Sequence, residues 1–312
     1  MSERAKDGAA IPGCEAYNPD PGKPRLAIPP GSCDCHAHIF GPQDRYPYTP
    51  NRSYTPPEAS IEAYRRMLTA LGFERGVIVQ PSVYGTDNRC TRDAVLASGG
   101  KWRGVAVVEP GVGDSLLAEL HAAGFRGVRI NLLFKGGLQL DALERIARAI
   151  QPLGWHVQLL LDGRYLPELS GRLGRLPVDF VVDHMGHMPA SLGVGHAGFQ
   201  TLLQLLRGGR CWVKLSGAYR IAKPHPYDDA VPFARALVET APDKLVFGTD
   251  WPHPSISVPM PQDASLLELL PTWVPDEATR RRILVENPAR LYDFPLSTTD
   301  RSRAPSPAVA ER

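Results

Sequence analysis

Ser32-Cys33-Asp34-Cys35-His36-Ala37-His38-Ile39-Phe40 is a short run of small and apolar residues that carries two imidazoles two positions apart at its end. In an extended segment side chains alternate, so His36 and His38 turn to the same side. Cys33 and Cys35 then face away from Asp34, His36 and His38, as packing residues on an outer face rather than as a C-x-C redox or metal pair. The next periodic stretch is of another kind. Ile61, Tyr64, Met67, Leu68 and Leu71 recur at the three- and four-residue spacing of one helix face. One strand followed by one helix is therefore the local unit.

That unit recurs along the chain. Strand-like runs fall at Gly76 to Pro81, Gly104 to Glu109, Gly127 to Leu132, His156 to Leu161, Asp179 to Asp183, Cys211 to Ser216 and Lys244 to Gly248. Helical spacing lies between them, as in Leu140-Leu143-Ile146-Ile150 and Phe199-Leu202-Leu203-Leu206. Nearly continuous apolar strands alternating with helices imply a parallel sheet covered on its faces. About eight such units over ~260 residues predict an α/β fold of the (β/α)8 TIM-barrel type. The barrel is expected to be one domain from 31 to 296. The Pro- and Gly-rich residues 1–30 read as an N-terminal arm, and the polar residues 297–312 as a disordered tail. Gly193, Gly195 and Gly198 match a dinucleotide-binding spacing, but they begin well beyond the strand ending near Asp183, so a flexible loop is expected there.

Composition narrows the partners. A chain of 312 residues with 43% hydrophobic and 22% charged residues is of ordinary globular make-up. A net charge of +2 without basic blocks gives no nucleic-acid or membrane partner, so an anionic ligand has to be held by a local cluster. The start has no apolar leader segment, and no run approaches the ~20 apolar residues of a membrane span. Five scattered cysteines do not form a disulfide framework and fit a reducing, cytoplasmic setting. Monomer and homo-oligomer both stay open.

Polar residues gather where the strands end, the face on which barrel enzymes carry their sites. His36 and His38 end the first strand, His184 ends the sixth with His187 three residues on, and Asp250 follows the eighth, with His253 after Trp251-Pro252. Taken singly these have ordinary readings, as solvated or core histidines and a helix-capping acid. A barrel brings strands one, six and eight to a single mouth, which makes them one constellation.

Asp34-Cys35-His36-Ala37-His38, Val181-Val182-Asp183-His184-Met185-Gly186 and Phe247-Gly248-Thr249-Asp250-Trp251-Pro252-His253 resemble the hallmark segments of the amidohydrolase-2 type within the amidohydrolase superfamily. Glu286-Asn287-Pro288-Ala289-Arg290-Leu291-Tyr292 resembles its closing helix. Phe40-Gly41-Pro42, Tyr46-Pro47-Tyr48, the stretch from Gln80 to Asn88 and Gly127-Val128-Arg129 are similar to the 2-pyrone-4,6-dicarboxylate lactonase group. The resemblance covers roughly Gly31 to Phe294. It implies that His36, His38 and His184 polarise a lactone carbonyl, and that Asp250 takes the proton of the attacking water and returns it to the leaving oxygen. No G-x-S-x-G nucleophile elbow is present, and no acyl-enzyme is needed.

The fifth strand, Trp155 to Asp162, has its histidine, His156, at the beginning and not at the end where many relatives place a metal ligand. No lysine ends strand four to bridge two metals. No cofactor is therefore expected to be required, and a mononuclear zinc on His36, His38, His184 and Asp250 is the alternative. A carboxylated lactone needs cationic forks. Arg129 and Arg220 are the candidates, with Tyr54, Ser82, Asn88, His187, His253 and Lys135 as further substrate contacts. Lys135 and His187 stand where the lactonase group leads one to expect arginines, which leaves the particular acidic lactone open. A zinc-dependent decarboxylase of the aminocarboxymuconate type and a non-catalytic ligand-binding barrel are the competing readings.

Overall fold

The structure is a computed structural model that describes residues 10–133 and 142–295. Eight strands form one parallel sheet in sequential order: β1 (Cys33–Ala37), β2 (Arg75–Val79), β3 (Trp102–Ala106), β4 (Phe125–Asn131), β5 (His156–Leu160), β6 (Phe180–Val182), β7 (Cys211–Leu215) and β8 (Leu245–Phe247). The first seven are each followed by helix: α1 (Ile61–Leu71), α2 (Arg89–Ala97), α3 (Asp114–Ala123), α4 (Leu143–Ile150), α5 (Leu166–Leu173), α6 (Ala197–Arg207), and the pair α7 (Ala218–Ile221) and α8 (Val231–Thr240). This is the (β/α)8 barrel expected from the alternation. Helix α1 shows how the sequence sets it: Ser60 caps the start through Ala63 N–H, Gly72 ends it in the left-handed region at φ 88°, and Ala63, Tyr64, Met67, Leu68 and Leu71 are the buried stripe.

The sheet closes between β8 and β1 without a regular ladder. Asp34 accepts from Thr249 N–H and Thr249 Oγ–H, both at 2.8 Å, while Asp250 N–H reaches His36 O and His38 N–H reaches Trp251 O, again at 2.8 Å. The seam that closes the barrel is thus made by the histidine and aspartate segments themselves. Register slips between Asp34 and Ala37 against β2. A bulge of this kind puts two successive residues on one side of a strand.

That bulge corrects the expected placement of the cysteines. Cys33 and Cys35 pack with Val77, Val79, Val105, Val181, Trp212 and Val246 inside the barrel, not on its outer face. Asp34 is the residue that points out, where Tyr64 of α1 donates to it at 3.0 Å. His36 and His38 still face inward because the irregularity intervenes. The third strand also begins and ends earlier than expected, because Val107 leaves the sheet to pair through its N–H and its carbonyl with the side chain of Asn88.

The lower end of the barrel is stoppered by Tyr292 of the closing helix (Asn287–Tyr292), against which His156 packs at 5.2 Å between rings. His156 therefore lies away from the strand ends, as its position in the fifth strand implies. Residues 10–30 run beside the segments that follow β1 and β8: Cys14 N–H reaches Thr55 O, Ala264 N–H reaches Pro21 O, and Tyr17 packs on Trp251. The tail beyond residue 296 lies outside the described residues. Gly193 is in a turn and Gly198 is in the first turn of α6, where a Cβ would meet Gly163 O at 2.3 Å, so that glycine serves helix packing. No helix among the described residues is long and apolar enough to cross a membrane.

Candidate active site

The strand ends bring the four expected groups together. Asp250 Oδ1 lies 3.6 Å from His36 Nε2, 4.0 Å from His38 Nε2 and 3.9 Å from His184 Nε2, with every one of these residues buried. The backbone is bent to do this. Asp250 has φ 67° and His184 φ 51°, a region that non-glycine residues occupy at a cost and mostly at functional sites. Two glycines make room: a Cβ on Gly248 would meet His36 Cβ at 2.7 Å, and one on Gly217 would meet the His184 ring at 2.9 Å.

The two oxygens of Asp250 have different surroundings. Oδ2 accepts from Arg220 Nε at 2.6 Å and from the Tyr219 hydroxyl at 2.5 Å. Oδ1, turned to the three imidazoles, has no hydrogen-bond partner among the described residues. Burial pushes this carboxyl up more than any single neighbour lowers it, but the Arg220 guanidinium together with His184, His36 and His38 holds Asp250 well below the usual carboxylate range. Asp250 is consequently ionised at neutral pH, with one oxygen free.

Burial acts the other way on the imidazoles. It lowers His36 to about 4, helped by Lys214, and pushes His38 and His184 well below 6.5. All three are neutral near pH 7, and each then offers one N–H and one lone pair. His38 Nδ1 is 2.7 Å from Val79 O, which only accepts, so His38 carries its proton there and shows a lone pair to the site. His36 Nδ1 lies between Lys214 Nζ at 3.3 Å, which only donates, and Asp183 Oδ1 at 3.4 Å, which only accepts; the lone pair of His38 Nε2, 3.3 Å from His36 Nε2, favours the proton on Nε2. His184 Nδ1 faces the Ser216 hydroxyl at 2.9 Å, which can donate to it and leave Nε2–H pointing inward. With those assignments the three histidines offer two donors and one acceptor, not three equivalent donors.

Lys214 belongs to a buried set of which the sequence reading singled out only Arg129 as a site residue. Its ammonium donates to Cys35 O and Gln158 Oε1, both at 2.8 Å, and lies 3.5 Å from Asp183 Oδ1. Asp183 also takes Gln158 Nε2 at 3.1 Å and Arg129 at 3.3 Å. Against the upward push of burial, Lys214 and His36 hold Asp183 well below the carboxylate range. The signal was present in the strands: Arg129, Gln158 and Lys214 are polar residues set into otherwise apolar runs.

Of the expected substrate contacts, Tyr54, Ser82, Arg129, His187 and Arg220 line one pocket with His38, His184 and Asp250. Its free volume is about 20 Å³, room for about one water. Asn88 is not brought there; its amide is spent on Thr86 O and on both backbone groups of Val107. His253 is not there either, being held between Tyr219 and Asp263. Lys135 lies outside the described residues. A larger cavity of about 780 Å³ sits between Leu26 to Pro30 and Glu277 to Leu284, beside the start of β1, and offers no imidazole or buried carboxylate.

Three of the donor atoms also suit a metal. A tetrahedral zinc with bonds of about 2.0–2.1 Å keeps its ligands roughly 3.3 Å apart, and Asp250 Oδ1 stands 3.6 Å from His36 Nε2 and 3.9 Å from His184 Nε2. His36, His184 and Asp250 form such a group, all buried.

A barrel with this constellation at its strand ends defines a class of hydrolytic enzymes, and comparison with known proteins places the chain in it. The amidohydrolase family matches residues 33–294. A 2-pyrone-4,6-dicarboxylate hydrolase of Comamonas testosteroni is 40% identical over 90% of this chain and 96% of its own. A 4-sulfomuconolactone hydrolase of Hydrogenophaga intermedia is 41% identical over 86% and 90%. Among solved structures, one from Acinetobacter baumannii, described as a "probable 2-pyrone-4,6-dicarboxylic acid hydrolase" with citric acid bound, superposes with a TM-score of 0.75 at 29% identity, covering 85% of this chain and all of that one. The chain belongs to the amidohydrolase family.

Proposed function

We propose that the chain is a lactonase that opens a carboxylated or sulfonated lactone with water activated by Asp250. The observation that carries this reading is the asymmetry of Asp250: Oδ2 is fixed by Arg220 and Tyr219, while Oδ1 is unpartnered and faces three imidazoles across a space the size of a water. In that space a water oxygen attacks the lactone carbonyl carbon and its proton passes to Asp250 Oδ1. The charge that develops on the carbonyl oxygen is met by His36 Nε2–H and, with the Ser216 proton on its Nδ1, His184 Nε2–H. His38, with its lone pair inward, accepts from His36 or from the water. Collapse of the tetrahedral intermediate breaks the ring C–O bond, and the proton on Asp250 goes to the leaving enol or alcohol oxygen.

The acidic group of the substrate is assigned to Arg129 and Arg220, with Tyr54, Ser82 and His187 beside them in the pocket. The names of the relatives support an acidic lactone. Both arginines already hold an internal carboxylate, Asp183 and Asp250, so a substrate anion shares them and does not meet bare cations.

Zinc, if bound by His36, His38, His184 and Asp250, would supply Lewis-acid polarisation and a more acidic water. The spacing of His36, His184 and Asp250 and the Asp183 carboxylate 3.4 Å from His36 Nδ1 favour that second reading, whereas Lys214 beside the same Nδ1 favours the metal-free one, because it leaves the Nε2 that would ligate carrying a proton. The test follows ring absorbance of 2-pyrone-4,6-dicarboxylate and 4-sulfomuconolactone, with an uncharged lactone for comparison, before and after exhaustive chelation. Turnover of an acidic lactone that survives chelation is expected. Faster turnover of the uncharged lactone would remove the anion assignment, and activity lost to chelator and restored by zinc would replace the metal-free mechanism.

A further inference from the structure

Behind Asp250 stand three buried residues to which the mechanism above gives no contact with the substrate. Tyr219 of α7 places its hydroxyl 2.5 Å from Asp250 Oδ2 and 2.9 Å from His253 Nδ1, and His253 Nε2 is 3.0 Å from Asp263 Oδ1. Tyr219, His253 and Asp263 are 3%, 1% and 1% exposed, and none of the three lines the pocket. Asp263 opens a short helix, α9 (Asp263–Leu267), where an acid also suits the N-terminal end. Its Oδ1 is nonetheless turned to His253.

The direction of the hydrogen bonds is set at the Asp250 end. Asp250 Oδ2 is a carboxylate oxygen that already accepts from Arg220, so it has no proton to give, and the Tyr219 hydroxyl donates to it. The phenol oxygen then accepts from a proton on His253 Nδ1 and the Asp263 carboxylate from one on Nε2, so the chain requires both ring nitrogens to carry protons. Donation therefore runs one way, from His253 through Tyr219 to Oδ2. With Oδ2 engaged twice, Oδ1 is the only oxygen of Asp250 left for the proton of a water.

We propose that Tyr219, His253 and Asp263 form a one-way hydrogen-bond chain that holds Asp250 with Oδ1 toward the three histidines. This rests on the reading of Asp250 as the base. The three are positioning residues: they touch Asp250 or one another and not the substrate, and Asp263 acts by fixing the ring of His253. Losing them should let the carboxylate turn and leave substrate binding largely intact.

The experiment compares wild type with Asp250→Asn, Tyr219→Phe, His253→Leu and His253→Asn on 2-pyrone-4,6-dicarboxylate, with folding checked by thermal unfolding. Misplacing a reacting group costs up to about 10²-fold, so Tyr219→Phe and His253→Leu should lower kcat roughly 10- to 100-fold with KM within about threefold. His253→Asn, whose amide can still donate to the phenol, should recover most of that loss. If Asp250→Asn stays active, the base assignment fails; if it is inactive while Tyr219→Phe and His253→Leu keep kcat within about twofold, the base stands and the chain alone is wrong. A loss confined to KM also overturns the chain. A readout that needs neither turnover nor a variant's stability is the nitrogen NMR spectrum of ¹⁵N-histidine-labelled wild type. Both ring nitrogens of His253 should resonate as protonated, and a bare Nδ1 would overturn the proposed direction.

Discussion

The inside of this barrel has two ends that are equally buried and chemically opposite. Toward the strand starts it is filled by Cys33, Val77, Val105, Val181, Trp212 and Val246 and closed by Tyr292. Toward the strand ends it holds His36, Arg129, Gln158, Asp183, Lys214 and Asp250, each less than a tenth exposed. In the lower end burial itself stabilises, at about 25 cal/mol per Å² of apolar surface removed from water. In the upper end burial costs free energy, and the charges persist because each has partners: Lys214 bonds to Cys35 O and Gln158 and stands near Asp183, which also holds Arg129. The difference teaches that one end holds the fold together while the other is held in place by it. Substitutions should separate accordingly.

The largest effect is expected at Lys214. Lys214→Met strips a partner from buried Asp183 and the donor from His36 Nδ1, so it should cost about 3–5 kcal/mol in urea unfolding and also lower kcat. A stable Lys214→Met enzyme with normal kcat would show that the upper network is neither needed for folding nor for the state of His36. Trp212→Ala, on the same strand but in the lower end, should cost a similar ~3–5 kcal/mol through the cavity it leaves, with the kcat of the remaining folded enzyme little changed. A large fall in kcat there would erase the distinction between the two ends.

A smaller effect, shared by both ends, concerns acid. His36 is lowered to about 4, and at the lower end burial, aided by Lys214, lowers His156 to about 3. The unfolded chain therefore takes up protons at these sites before the folded one does. Their stability is present in full above about 6.5 and is lost as pH falls toward 4 and 3. Asp34 works in the opposite sense, because burial raises it to about 6 in spite of the donors around it, so falling pH relieves its cost below about 6. Two histidines against one carboxyl leave a net decline. Calorimetry from pH 7 to 4 should show a falling Tm, and His156→Leu should flatten the slope; a Tm that rises over this range would contradict the sign.

Much of this was legible in the sequence, for reasons that can be named. The period-two and period-3.6 runs marked the strand and helix units, and the strand-end positions of His36, His38, His184 and Asp250 showed which groups would meet. The bulge in β1 was not legible, since an extra residue in a strand leaves no mark on composition, and it reversed the placement of Cys33 and Cys35. The partners of Lys214 became readable only with the register of β4, β5, β6 and β7 in hand. Asn88 and His253 misled for another reason: both are polar residues near strand ends, but loop geometry spends one on Val107 and the other on Tyr219 and Asp263. Loop paths of that kind have no periodicity to betray them.

The central claim is that Asp250 supplies the base, and Asp250→Asn tests it most directly because the amide keeps the shape of the carboxylate but cannot take the proton of a water. The measurement is kcat for loss of ring absorbance with 2-pyrone-4,6-dicarboxylate or 4-sulfomuconolactone, whichever the wild type opens faster. A fall of at least about 10²-fold in a folded variant is the expected result. A kcat within about twofold of wild type would contradict the account, since the other unpartnered carboxylate oxygen near the site, Asp183 Oδ1, faces Lys214 and the Nδ1 side of His36, while Asp250 Oδ1 faces all three imidazoles.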